Sequence, residues 1–407
     1  MGVIATVTVG SYAYSATYDS GNGYVYVVDQ YSNNVSVING TSLLATILVG
    51  SSPSVAVYDS GNGYVYVTNT GNGSSENSGT VSVIRGTSVV ATVTVGPTPY
   101  WATYDSGNGY VYVTDEGCVS TIPGCKLPSG ASAEYGVGSN VSVISGTSVV
   151  ATVPVGTVPQ FVGYDSGNGY VYVLNQGCFG CYGTASWSHG EVSVISGTSV
   201  VATATVGFDP YSATYDSGNG LVYVTNGASG NVSVMNGTSV VATVPVGYIP
   251  LFAAYDSGNG YVYVPNDLTG TVSVIDGTTV AATITVESYP YSATYDSGNG
   301  YVYVTNSDAG TVSVIVGTSV VVTVNVGSGD YLVYDSNNGY VYVPSSGGTT
   351  VSVIGNVPSS SSGLPGWVYA IVGVAVAGVA VGVVMGVMRH RRSPAIAAPP
   401  PPTAPGP

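Results

Sequence analysis

Residues able to do acid–base, nucleophilic or metal chemistry are scarce in this sequence. Its 407 residues include two histidines, and only His189 precedes residue 389. A His-based metal cage is therefore not available there, and a Ser-His-Asp triad would depend on that one side chain. Aspartates such as Asp19 recur at wide intervals, so paired carboxylates at hydrolase spacing are not implied. We expect no catalytic residue, no metal and no cofactor.

The four cysteines fall into two pairs. Cys118 and Cys125 are seven residues apart, whereas Cys178 and Cys181 form a Cys-x-x-Cys sequence. An even number of cysteines outside a cell predicts disulfides, and we expect each pair to bond within itself. Bonds between the two pairs are an alternative. A zinc site is another, because Cys-x-x-Cys has ligand spacing, although a spacing of seven is poor for zinc.

A third chemical signal is aromatic. Seven such residues stand shortly before a recurrent Tyr-Asp-Ser sequence, and two more stand in a longer intervening segment. The first seven are Tyr14, Tyr100, Trp101, Phe161, Tyr211, Phe252 and Tyr291, and the other two are Tyr182 and Trp187. Together they would make a ligand-binding platform for glycan rings or a partner protein. Alternatively, the first seven pack around the mouth of a central channel and seal it.

A repeated sequence identifies the strands that must position these residues. The sequence Tyr-Asp-Ser-Gly-Asn-Gly-Tyr-Val-Tyr-Val first occurs at Tyr18 to Val27. Counting this first copy, eight copies or near copies begin at Tyr18, Tyr58, Tyr104, Tyr164, Tyr215, Tyr255, Tyr295 and Tyr334. A Val-Ser-Val-Ile-like run follows each one, and an Ala-Thr-Val-like run follows all but the last. Four short strands in a period of roughly 40 to 45 residues are the mark of a propeller blade.

The two ends of the repeat array complement each other. Residues 3–10 match the fourth strand of a repeat, and the last repeat stops after its third strand at Ile354. Pairing these two strands would close a ring and remove both open sheet edges. We therefore predict an all-β fold, a single eight-bladed propeller over residues 1–357. The alternating Thr and Val of the fourth strands predict a half-exposed outer edge.

Three repeats carry insertions between their second and third strands. These are Thr70 to Gly79, Glu116 to Ser139 and Gln176 to Gly190. They fall in blades 2, 3 and 4, which are adjacent, so we expect one contiguous ridge of loops. Long loops on a rigid scaffold commonly carry function, and neutral drift in a tolerant loop is the alternative.

The end of the second strand resembles the signature of a known family. The sequence Tyr-Val-Thr-Asn occurs at residues 66–69, 223–226 and 303–306, with degenerate forms at residues 112–115, 172–175 and 263–266. The last repeat departs furthest, with Tyr-Val-Pro-Ser at residues 342–345. This chain thus resembles the YVTN family of β-propeller repeats over residues 3–354. The resemblance implies a setting like that of archaeal surface-layer and other cell-surface proteins, some of which have seven blades.

The C-terminal region predicts a membrane anchor. Residues 358–366 read as a Ser/Pro/Gly stalk, and residues 367–388 contain no charge and are long enough to span a bilayer as a helix. Three arginines follow, which places the Pro/Ala-rich tail, residues 389–407, in the cytoplasm and the propeller outside. Gly378, Gly382 and Gly386 share one helix face and favour a homodimer in the membrane. A tail-anchored protein with a cytosolic propeller is the alternative.

Other features fit a surface location. Glycosylation acceptor sequences occur at Asn34, Asn39, Asn72, Asn140, Asn231 and Asn236. No signal peptide is visible at the start, and we expect that the true start lies upstream or that the signal was removed. The net charge of −15 and the lack of a basic patch exclude phosphate-based nucleic-acid binding. Because few carboxylates have a cation to pair with, we also hypothesise an acidic habitat, and repeat drift toward small, uncharged residues is the alternative.

These observations predict a membrane-anchored cell-surface propeller that is not an enzyme. We expect a structural or adhesive envelope protein that binds a protein or glycan through the ridge of blades 2 to 4. The alternative is a propeller enzyme of the lyase or lactonase kind, or a solute-binding surface protein. No counterparts of the metal or cofactor residues of such enzymes are found in the sequence.

Overall fold

The structure is a computed structural model that describes residues 1–71, 79–117, 139–177 and 189–356. These residues form eight four-stranded antiparallel sheets, and the described part of the chain contains no α-helix. The all-β, eight-bladed propeller predicted from the repeat is therefore confirmed. Short 3-10 turns at Gln30–Ser32 and Asp267–Thr269 are its helical elements in the described residues.

Each blade has four strands, numbered here along the chain. The inner strands are β2 (Ala13–Asp19), β6 (Pro53–Asp59), β10 (Pro99–Asp105), β14 (Pro159–Asp165), β18 (Pro210–Asp216), β22 (Ala254–Asp256), β26 (Pro290–Asp296) and β30 (Val333–Asp335). The second strands are β3 (Tyr24–Asp29), β7 (Tyr64–Asn69), β11 (Tyr110–Asp115), β15 (Tyr170–Asn175), β19 (Leu221–Asn226), β23 (Tyr261–Asn266), β27 (Tyr301–Asn306) and β31 (Tyr340–Pro344). The third strands are β4 (Asn34–Asn39), β8 (Gly79–Arg85), β12 (Asn140–Ser145), β16 (Glu191–Ser196), β20 (Asn231–Asn236), β24 (Thr271–Asp276), β28 (Thr311–Val316) and β32 (Thr350–Gly355). The outer strands are β5 (Ser42–Leu48), β9 (Ser88–Val95), β13 (Ser148–Pro154), β17 (Ser199–Thr205), β21 (Ser239–Pro245), β25 (Thr279–Thr285), β29 (Ser319–Asn325) and, in the eighth blade, β1 (Gly2–Thr8).

The ring closes through the first strand of the chain. Strand β1 pairs antiparallel with β32, in a register that runs from Gly2 opposite Gly355 to Thr8 opposite Thr350. The last blade thus has the order β1-β32-β31-β30, and its outer strand comes from the N-terminus. This pairing confirms the closure expected from the complementary ends.

The strand directions give the ring two different faces. Inner strands begin, and second strands end, on the face that carries the inserted segments, which we call the loop face. The Tyr-Asp-Ser-Gly turns lie on the opposite side, the turn face. A backbone bond from the residue after each of the first seven second strands links the two connections on the loop face, as from Gln30 N to Tyr12 O at 2.9 Å.

The core lies between neighbouring sheets. Both faces of the second strands are buried, and Val25, Tyr26 and Val27 have no exposed surface. The outer strands alternate between exposed and buried positions, as the Thr and Val pattern predicts; in β9, Val90 is 50% exposed and Val93 is 5% exposed.

A buried tyrosine in each second strand joins its blade to the next one. In seven blades the phenol donates to a glycine carbonyl in the turn between the third and outer strands of the following blade, at 2.7 to 3.0 Å. Tyr342 makes this bond across the closure, to Gly40. Tyr303 contacts the Met1 Sδ atom instead, because the third and outer strands of blade 8 come from opposite ends of the chain and no turn joins them.

The Tyr-Asp-Ser-Gly turn makes a second link between blades. The Asp19 carboxylate accepts hydrogen bonds from the backbone amides of Gly21 and Asn22 at 2.8 and 3.2 Å. Gly23 has a φ of 77°, whereas Gly21 is needed for space, because a Cβ there would lie 2.6 Å from the hydroxyl of Tyr58 in the next blade. The two glycines of the turn therefore have different roles, since Gly23 has a positive φ and Gly21 does not.

The predicted membrane anchor is outside the part of the chain that the structure describes. Residues 358–366, 367–388 and 389–407, with Gly378, Gly382 and Gly386, all fall in that region. Within the described ranges, no helix has the length and apolar character needed to cross a bilayer.

Candidate binding site in the channel

The inner strands carry large aromatic side chains at two successive positions near the loop face. One position is four residues before the repeat tyrosine, and the next is three residues before it. The first holds Tyr14, Tyr100, Tyr211 and Tyr291, which come from the four odd-numbered blades and are called the phenol layer here. The second holds Trp101, Phe161, Phe252 and Tyr331, which are called the ring layer.

The ring layer fills the channel axis with aromatic contacts between residues of blades 3, 4, 6 and 8. Trp101 stacks on Phe252 with ring centroids 5.3 Å apart and an interplanar angle of 17°. Tyr331 meets Phe252 edge-on at 5.0 Å, and Phe161 lies 4.9 Å from Trp101. Such pairs contribute about 0.5 to 1.5 kcal/mol each beyond the area that they bury. The ring layer, whose residues are far apart in the sequence, thus closes the channel at this level.

The phenol layer joins blades through its hydroxyl groups. The Tyr14 and Tyr100 oxygens are 2.9 Å apart, and those of Tyr211 and Tyr291 are 3.2 Å apart. The Tyr331 hydroxyl adds a longer contact of 3.5 Å to Tyr291. Burial raises the pKa of Tyr100, Tyr291 and Tyr331 well above the usual range of a phenol, so these groups stay protonated and can donate hydrogen bonds.

Carboxylates surround this layer on the loop face. Burial raises the pKa of Glu116 to about 8, and burial together with the charge of Asp330 raises the pKa of Asp267. The negative charge of Glu116 also raises the pKa of Tyr100. Arg85 is the one Lys or Arg among the described residues, and it lies over the Tyr64 ring at the turn face. The described part of the loop face is therefore acidic.

Groups that could support catalysis or a metal are sparse in the described residues. No cluster of three or more His, Cys, Asp or Glu side chains there is placed to hold a metal ion. His189 is exposed and stacks on Phe208 with centroids 4.2 Å apart. Each turn aspartate is held by backbone amides, as Asp256 is by the Gly258 amide at 2.8 Å.

The structure brings together most of the aromatic residues singled out in the sequence. Tyr14, Tyr100, Trp101, Phe161, Tyr211, Phe252 and Tyr291 all belong to the phenol or ring layer, and the six other than Phe161 are half-buried. Their packing agrees with the alternative in which the rings seal the channel mouth. The ligand-binding role remains a prediction.

Sequence reasoning missed Tyr331, which is 8% exposed and contacts four members of the two layers. The last repeat lacks the Pro-aromatic pattern of its neighbours and reads Gly-Asp-Tyr-Leu. Counting three residues back from Tyr334 identifies it. This fixed spacing from the repeat tyrosine is the sequence signal by which Tyr331 could have been found.

Several predicted site residues are outside the described ranges. They are Cys118, Cys125, Cys178, Cys181, Tyr182, Trp187 and Asn72. Of the other glycosylation candidates, Asn39 and Asn236 are exposed at the ends of third strands, whereas Asn34, Asn140 and Asn231 are half-buried. The Asn231 side chain also accepts a bond from Asn226 at 2.8 Å.

The fold is similar to that of solved β-propellers. The C-terminal WD40 domain of Sif2 matches with a TM-score of 0.64 and 9% identity, over 88% of this chain and 98% of that one. Hydrazine synthase of Kuenenia stuttgartiensis matches with a TM-score of 0.55 and 15% identity, over 76% and 96%. The WD40 propeller domain of Doa1 matches with a TM-score of 0.52 and 13% identity, over 88% and 98%. No protein-family model and no curated protein sequence matches the chain. At these identities the likeness shows the propeller fold alone.

Proposed function

We propose that this chain is a membrane-anchored cell-surface propeller that acts as a structural or adhesive envelope protein. It binds a protein or glycan partner through the loop face of blades 2 to 4. The observation that carries the proposal is the placement of the three long connections. They leave β7, β11 and β15, which belong to adjacent blades, and they do so on the face that also carries the phenol layer.

The rest of the described ring supports a scaffold role. Hydrogen bonds between blades recur around it, and the remaining described connections on the loop face are short. In blade 5, for example, the connection spans Gly227 to Gly230. A rigid ring that varies in one sector is the usual arrangement of a binding protein. The resemblance to YVTN repeats and the uncharged segment 367–388 support the surface location and the anchor, and Gly378, Gly382 and Gly386 support a dimer.

The proposal is tested by grafting the short connection. Residues 70–79, 116–139 and 176–190 are each replaced by the blade 5 connection, and binding to glycan arrays and to intact envelopes is measured. We expect binding to fall about tenfold or more, with an unchanged melting temperature. Trp187→Ala is a single-residue version of the same test, and Tyr248→Ala, at an exposed loop-face residue of blade 6, is its control.

Two outcomes would contradict the proposal. Binding that survives all three grafts would exclude the loop ridge as the contact surface. Turnover of a substrate that is lost when a channel residue is changed would favour a propeller enzyme instead. Protease accessibility of the propeller on intact cells tests the predicted location separately.

A further inference from the structure

A cavity of about 280 Å³ lies on the channel axis against the ring layer, and we call it the chamber. Its walls are small residues of the inner strands, including Ala16, Ala56, Ala213 and Ala293. The aromatic wall is formed by Trp101, Phe161, Phe252 and Tyr331. None of the lining residues is charged. Ligand pockets commonly occupy roughly 300 to 1,000 Å³, so the chamber suits a small ligand.

The polar groups of the chamber are mostly committed to the protein itself. The Ser15 hydroxyl donates to the Ser54 carbonyl at 2.7 Å, and the Ser212 hydroxyl donates to the Leu251 carbonyl at 3.0 Å. The Thr214 hydroxyl donates to the Ala253 carbonyl at 2.9 Å. These hydroxyl groups are therefore not free to bind an anion or a sugar. The lining therefore favours a ligand that needs few directed hydrogen bonds.

What the chamber does offer is aromatic surface. Four rings line one cavity, and the centroids of Trp101, Phe161 and Phe252 all lie within 6.2 Å of one another. The π face of an aromatic ring carries partial negative charge and attracts a cation without a hydrogen bond. An apolar molecule would also fit these walls, so charge must decide between the two classes of ligand.

The charge around the channel is negative at both ends. At the turn face, an aspartate ends every inner strand, and each of the eight is at most 3% exposed. These carboxylates accept neutral donors such as the amides of Gly21 and Asn22, which leave their charge uncompensated. At the loop face stand Asp267 and Asp330. Low-dielectric walls concentrate such a field along a channel and attract cations into it.

We propose that the chamber binds a small organic cation with diffuse charge, of the quaternary ammonium class. The methyl groups of such a cation pack against the alanine walls, and its charge meets the aromatic faces and the negative field. A strongly hydrated metal ion is disfavoured, because no carboxylate side chain lines the cavity to replace its water. This inference does not depend on the loop ridge, since none of the lining residues belongs to an inserted segment.

The test compares a cation with its neutral isostere. Choline and tetramethylammonium are titrated into the full-length chain by calorimetry, in a maltoside detergent that carries no ammonium group. The neutral carbon analogue of choline, 3,3-dimethylbutan-1-ol, is titrated in parallel. We expect both cations to bind and the neutral alcohol to bind about tenfold more weakly. Equal affinity would overturn the proposal in favour of a plain apolar cavity, and no binding by either cation would also overturn it.

Two variants test whether choline binds in the chamber. Phe252→Leu keeps an apolar side chain of similar bulk but removes one ring, and we expect it to weaken choline binding about fivefold or more. Leu332→Ile changes a lining residue that has no ring and is the matched control, with unchanged affinity. Melting temperatures of both variants establish that they fold. Choline affinity that is the same in Phe252→Leu and wild type would place the cation elsewhere and overturn the proposal.

Discussion

In seven of the eight blades the second strand ends at an amide or a carboxylate side chain, and the two make stability depend on pH in different ways. In blade 2, Asn69 donates to the Ser82 hydroxyl at 3.0 Å, whereas in blade 3, Asp115 accepts from the Ser142 hydroxyl at 2.8 Å. Both positions are at most 1% exposed. Burial raises the pKa of Asp115 to about 7 and that of the equivalent Asp29 to about 6, although the serine bonds oppose the shift.

The double substitution Asp29→Asn and Asp115→Asn should remove a pH dependence of stability. Both folded pKa values lie above the ordinary value of 3.8, so the folded state holds these protons more tightly than the unfolded state. Their contribution to stability is present below about pH 4 and is lost as pH rises towards 7. Wild type should therefore lose on the order of 1 to 3 kcal/mol per site between pH 5 and pH 8. Calorimetric unfolding at the two pH values measures this loss.

The reverse change supplies the control. Asn226→Asp places a carboxylate at the same position of blade 5, where Asn226 now donates to Ser233 at 3.0 Å. Its stability should become more dependent on pH than that of wild type. If the double variant and wild type show the same pH profile, these aspartates are not the source. The scarcity of cations in the sequence led to the hypothesis of an acidic habitat. The burial that raises the pKa values of Asp29 and Asp115 is visible only in the packed blades.

At the scale of the strand, the tyrosines that link neighbouring blades should contribute unequally to stability. Tyr263 donates to the Gly317 carbonyl at 2.8 Å, whereas Tyr303 meets the Met1 sulfur, a weak acceptor. In both blades an asparagine also donates to the phenol. Tyr263→Phe should cost roughly 1 to 3 kcal/mol, because it leaves a turn carbonyl without its partner, and Tyr303→Phe should cost less. Urea unfolding of the two variants measures the difference, and equal losses would show that the carbonyl bond is unimportant.

Strand types and order could be predicted because each short segment repeats its own chemistry. Alternating valine and tyrosine identifies the second strands, and Asn-Gly or Asp-Gly identifies hairpin turns such as Asn236-Gly237. What the local pattern could not provide is the contact between blades. From the sequence, Gly21 is a glycine of the turn. The structure shows that a glycine is required there because a Cβ would lie 2.6 Å from the hydroxyl of Tyr58 in the next blade. In the last blade, Asn337 replaces this glycine, a departure that no rule about turns anticipates.

At the scale of the whole molecule, the candidate site was predictable only in part. Aromatic residues before the repeat tyrosine could be found one by one, but their separation into two layers depends on which blades face each other across the axis. Trp101 and Phe252 are 151 positions apart and stack directly. The chamber could not be predicted from the sequence either, because it is the space that remains where small residues such as Ala56 face the channel. Only closure of the ring brings these residues to one place.

That closure is itself testable by removing its first strand. Deleting residues 1–8 leaves β32 without its outer partner and removes Val7, which is 5% exposed, from a cluster that includes Val351 and Val353. An unpaired edge of this kind promotes association between chains. We expect the truncated chain to unfold at lower urea concentration and to aggregate, as measured by unfolding curves and light scattering.

A synthetic peptide of residues 2–9, Gly-Val-Ile-Ala-Thr-Val-Thr-Val, should restore the missing strand when added in excess. Its register is set by six pairs, from Gly2 with Gly355 to Thr8 with Thr350, and by the burial of Val7. The same peptide with Val7→Asp is the matched control and should not restore the unfolding midpoint, because the charge would be buried without a partner. If the truncated chain stays monomeric with the midpoint of the full chain, β1 does not hold the ring together. Rescue by both peptides would show that β-pairing alone suffices and that the cluster around Val7 adds little.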